Sequence, residues 1–76
     1  MNPPDPRTKT RRRLEDQAKE LGERLARLDD QVTRAVGVGR TDLERIAVRR
    51  RRMVFERLNA LNLMIAGLDA DRDELR

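Results

Sequence analysis

Val36-Gly37-Val38-Gly39-Arg40-Thr41-Asp42-Leu43-Glu44 divides this chain into two halves of the same kind. Gly37 stands where a helix that closes in the left-handed conformation takes a glycine. The residues after it are a start signal. Thr41-Asp42-Leu43-Glu44 has the spacing of a capping box, in which the threonine hydroxyl accepts from the backbone N–H three residues on and the glutamate reaches back to the N–H of the cap. The stretch predicts helix, short loop, helix.

Both flanks agree. Upstream, Leu14, Ala18, Leu21, Leu25, Leu28, Val32 and Ala35 form one ladder; downstream, Ala47, Arg51, Val54, Leu58, Leu61, Ile65 and Leu68 form another. Alternating steps of four and three keep every rung on one stripe of a helix, which is the seam of helix-on-helix packing. No stretch alternates apolar and polar residues between frequent turns, as a sheet requires. The reading is an all-α, antiparallel two-helix hairpin of coiled-coil type. Residues 1–5 are expected as a disordered lead, helix 1 over about 8–36, the loop at 37–41, and helix 2 over about 42–68 or on to 75. Asp5-Pro6 is the first candidate helix start, with Thr8 and Thr10 as later caps.

Charge placement supports the fold-back. Counting helix rise from the loop sets positions whose numbers sum to about 78 side by side. Arg49 to Arg52 then fall near Asp29 and Asp30, and Asp69, Asp71, Asp73 and Glu74 fall near Arg7, Lys9 and Arg11 to Arg13. Opposite signs at both places disfavour other registers. Asn59 and Asn62, beside the seam, are candidates for fixing register or oligomer number.

Composition narrows the chemistry. The 76 residues suffice for one small domain, and 42% of them are charged, for a net charge of +4. There is no His, Cys, Ser, Tyr or Trp. The usual general base, two of the usual nucleophiles and every thiolate or imidazole ligand are therefore missing, which leaves carboxylates, two lysines, threonines and arginines, and no catalytic residue, cofactor site, metal site or small-molecule substrate is expected. Asp69-Ala70-Asp71-Arg72-Asp73 resembles the opening of a calcium loop, but Glu74 stands where that loop needs glycine. The most apolar segment, Leu58 to Leu68, is about half of what a membrane span needs and carries both asparagines. A chain without a membrane span, working in the cytoplasm, is expected.

Two features point to a binding role. Helix 2 carries more apolar residues than one seam uses: Leu43, Ile46, Met53, Phe55, Leu63 and Met64 lie beside or outside it. A hairpin alone cannot cover them, so pairing of two hairpins into a four-helix bundle is expected, or docking of another protein. Met53, Phe55, Leu63 and Met64 are the expected partner-binding residues. The second feature is arginine. Arg49 to Arg52 sweep most of the helix circumference, which turns Arg51 toward the seam and leaves Arg45, Arg49 and Arg52 as a basic stripe. That stripe, with the cluster Arg11, Arg12 and Arg13, is the candidate for phosphate contacts. The functional expectation is a non-enzymatic adaptor, inhibitor or assembly factor binding protein through helix 2. The alternative is a nucleic-acid-binding regulator acting through its arginines.

Overall fold

The computed structural model describes residues 6–74, with side chains described through residue 70. The expected disordered lead lies outside that range, as do position 75 and the side chains of Asp71, Asp73 and Glu74. Two helices make up the fold, α1 over Pro6–Gly37 and α2 over Thr41–Glu74, packed against each other along their lengths as a hairpin. Pro6 opens α1, where its missing N–H costs no helical bond. Thr10 lies inside that helix, its hydroxyl donating to the Pro6 carbonyl at 3.0 Å, so it is not a cap.

The ladders form the seam. Each of their fourteen rungs is buried or half-buried, and the other described residues withdrawn from solvent are Arg11, Gly22, Glu44 and Asp69. Arg11 and Glu44 each extend a ladder by one further step of three. Leu28, Ala35, Ala47 and Leu61 are the most deeply buried residues among those described. The molecule measures 56 × 25 × 12 Å, two helices wide and one helix thick. Such a slab buries one line of side chains and leaves both broad sides open.

The turn is tighter than the sequence suggests. Gly39, not Gly37, takes the left-handed conformation, with φ 69°. The Gly39 N–H donates to the Val36 carbonyl at 3.1 Å and the Arg40 N–H to the Ala35 carbonyl at 2.9 Å. These are the two bonds of a Schellman closure, which lets α1 continue through Gly37. The expected capping box does not form either. The Glu44 N–H donates to the Arg40 carbonyl at 3.0 Å, which makes Arg40 the cap and places Thr41 inside α2. Asp42 takes over as the polar partner at this helix start, receiving Nε and Nη2 of Arg40 at 3.0 and 2.9 Å. An acid in the first turn also suits the helix dipole.

Two cross-helix ion pairs among the described residues agree in register. The Arg51 guanidinium donates to Asp29 at 3.1 Å. Arg11 grips Asp69 with both terminal nitrogens, one of these bonds measuring 3.2 Å, and also holds Glu15 on its own helix at 2.8 Å. Facing positions therefore sum to about 80 rather than 78. The pairs share one design: a seam arginine on one helix reaches an aspartate beside the seam on the other. They are related by a constant offset of 40 residues, from 11 to 51 and from 29 to 69. Asn59 and Asn62 are exposed and stay out of the seam, so they do not set the register of the hairpin.

Candidate partner-binding surface

The seam takes one stripe of α2, and the rest of that helix stays strongly apolar. Leu43, Ile46, Val48, Met53, Phe55, Leu63 and Met64 are all exposed, Met53 and Leu63 to 65% and 67%. On α1 the exposed large apolar residue is Val36, at the turn. The surplus belongs to one helix.

These side chains do not form a single patch. Met53 and Phe55 are two residues apart, which is roughly 200° around a helix, and the seam residue Val54 lies between them. Phe55 lines a groove on one broad side with Val48, Leu25, Asp29, Glu44 and the arginines Arg45, Arg49 and Arg52. Met53 lines a groove on the other side with Leu28, Gln31, Arg24, Arg27 and Arg50. Met64, eleven residues after Met53, returns to the Met53 side nearer the open end of the hairpin. Leu63 points outward, away from α1, two residues past the buried Leu61. The structure thus distributes Met53, Phe55, Leu63 and Met64 over three aspects of α2.

The two sides differ in charge. On the Phe55 side carboxylates sit among the arginines: Asp29 accepts from Arg51, and Glu56 lies 4.0 Å from Arg52. The Met53 groove runs on toward the turn, where Ala35, Val38, Leu43, Ile46, Ala47 and Arg34 join Gln31 and Arg50 in its lining. No carboxylate lines either of these two stretches. Arg34 is held by Asp30 at 2.8 Å. Arg24, Arg27 and Arg50 form no ion pair with the described residues. Beyond Arg24, toward the open end, the lining becomes mixed, with Glu20, Glu23 and Arg57. Sequence reading singled out the run Arg49 to Arg52 and passed over Arg24, Arg27 and Arg34. Their spacing of three and seven, on the flank of the first ladder, is the signal that identifies them.

The arginines expected to contact phosphate fall into two places. Arg45, Arg49 and Arg52 share the Phe55 side near the turn. Arg12 and Arg13 line a shallow surface near the start of α1 with Lys9 and Asp16, while Arg11 turns to the seam. By helix rise the two places are about 30 Å apart. The Arg11 guanidinium is held above its usual pKa first by the Glu15 hydrogen bond and then by the charge of Asp69. Among the described residues no group of acids could hold a metal ion, and no helix is long and apolar enough to cross a membrane. Comparison with known protein families, with characterised proteins and with solved structures gives no match for this chain.

Proposed function

We propose that the chain is a non-enzymatic protein-binding hairpin, an adaptor, inhibitor or assembly factor whose α2 meets the partner and whose α1 supports α2. One observation carries this reading: seven large apolar side chains stay exposed on α2 after the seam has formed. Removing such a side chain from water gains about 1.5–3 kcal/mol when burial is complete, so even partial cover of several supplies the affinity of a specific complex. Pairing of two hairpins into a four-helix bundle is one way to provide that cover. Arg45, Arg49 and Arg52 lie within reach of the Phe55 side and would speed encounter with an acidic partner.

The test uses the whole chain as bait in extracts of cells that encode it, beside a Met53→Asp, Phe55→Asp double variant. Both positions are exposed, so the variant keeps its helical circular dichroism. A partner held by the native chain and lost by the variant supports the reading, and light scattering shows whether that partner is a second copy. Capture unchanged by the double variant refutes it. Phosphate contact through Arg45, Arg49, Arg52 and the Arg11 to Arg13 cluster is the second reading, favoured by Arg12, Arg13, Arg45 and Arg49 having no ion pair with the described residues. It predicts DNA or RNA retention that falls steeply with salt, with a slope that Arg45→Ala plus Arg49→Ala flattens.

A further inference from the structure

We infer that the Met53 side of the hairpin receives an acidic amphipathic helix of a partner protein, seated as a third helix between α1 and α2. This deepens the protein-binding reading and rests on it. The groove has a floor and two walls suited to that occupant and poorly suited to others. Its floor is the seam itself at Leu28, Ala35 and Ala47, and its rim carries the exposed side chains Leu43, Ile46 and Met53. A helix with an apolar stripe buries against such a line as a third member of the bundle. The continuous lining from Arg24 to Val38 is about 20 Å long by helix rise, or about four turns of a partner helix.

Charge selects among apolar helices. Arg24, Arg27 and Arg34 stand on the α1 wall and Arg50 on the α2 wall, with no carboxylate in the lining between them. A helix with Asp or Glu on both flanks of its apolar stripe meets cations on each side, as flanking charges do in coiled coils. A second copy of this chain centred on the groove would instead set Arg24, Arg27 and Arg50, unpaired among the described residues, against their own kind, beside an Arg34 already held by Asp30. Nucleic acid would find the arginines but leave Leu43, Ile46 and Met53 uncovered, and Phe55, the one aromatic side chain able to stack on a base, lies on the opposite side.

The probes are three labelled helical peptides of about three heptads, with Leu along one stripe and Glu, Gln or Lys on both flanks. A DNA duplex of about 20 base pairs is the fourth probe, read like the others by fluorescence anisotropy at low and high salt. The Glu peptide is expected to bind at least about tenfold more tightly than the Lys peptide, with the Gln peptide between them. Ile46→Asp, at an exposed position, should weaken the Glu peptide at least about tenfold, whereas Phe55→Asp leaves it bound. Arg27→Glu with Arg50→Glu leaves Arg24 and Arg34 against two carboxylates and should remove the preference for the Glu peptide. Equal binding of the Glu and Lys peptides by the native chain, a preference unchanged by Arg27→Glu with Arg50→Glu, or sensitivity to Phe55→Asp in place of Ile46→Asp would overturn the assignment. So would a duplex that binds more tightly than the Glu peptide and is indifferent to Ile46→Asp. If none of the peptides binds while native partner capture still depends on Phe55, this inference falls and the broader protein-binding reading stands. Capture indifferent to both Met53→Asp and Phe55→Asp removes both.

Discussion

Leu61 and Leu63 offer the sharpest test of the seam, because the same substitution two residues apart should have opposite weight. Leu61 is 8% exposed and Leu63 is 67% exposed. Leu→Ala leaves only Cβ, and at ~0.8 kcal/mol per buried methylene the loss at a covered site comes to about 2 kcal/mol. A closed core would add a cavity cost, but a slab one helix thick lets neighbours and water move in, so the transfer loss dominates here. At Leu63 only about a third of that burial exists, and alanine's better helix propensity offsets part of the remainder. The expected costs are about 2 kcal/mol for Leu61→Ala and well under 1 kcal/mol for Leu63→Ala. In a chain of this size a loss of about 2 kcal/mol lowers the melting midpoint by about 10 °C. Urea and thermal unfolding followed by circular dichroism at low micromolar concentration would measure both, given a two-state transition. Raising the concentration separates folding from association: a Leu63→Ala effect that grows with concentration reports contacts between copies. Equal destabilisation by the two variants, independent of concentration, would refute the register of α2 described above.

Two further outcomes follow from local geometry. Gly22→Ala should stabilise the hairpin by about 0.5–1 kcal/mol and Gly39→Ala should destabilise it by at least as much, measured by the same melts. A Cβ at either site meets open space, so the difference is one of backbone: Gly22 is helical, and Gly39 holds φ 69°. Asp42 should titrate below the usual aspartate range, chiefly through its hydrogen bonds from Arg40, with desolvation opposing and the Leu43 N–H assisting. Its contribution to stability is therefore full at neutral pH, begins to fade as pH falls through the ordinary aspartate range, and is gone below the depressed folded value. Carboxyl-detected NMR should show Arg40→Gln returning Asp42 toward that ordinary range.

The seam was readable in the sequence because a stripe repeats: the error in placing any one rung is corrected by the next. That is why Arg51, a charge on an apolar ladder, could be assigned to the seam and is found half-buried there against Asp29. Single-residue events had no such redundancy. Gly37 and Gly39 both suit a helix end, and only the backbone bonds from Gly39 and Arg40 decide between them. Thr41 and Asp42 likewise both suit a helix start, and the choice of Arg40 as cap follows from how the turn closes. The apolar surplus of α2 was legible as composition. Its division between the Met53 and Phe55 sides required knowing which residues the seam removes, and the arginine wall on α1 required seeing both helices at once.

The offset of 40 residues that relates the two cross-helix ion pairs bears on what a change of register would cost this hairpin. A slip of α2 by one heptad would preserve the spacing of its apolar rungs. It would also carry Arg51 away from Asp29, toward Gly22 or Val36, and carry Arg11 from Asp69 to the register position of Asn62 or Arg76, neither of them an acid. Both clasps would open together, because they are set in the same phase at opposite ends of the seam. A slip of one heptad therefore trades neither tie for another; it loses both at once.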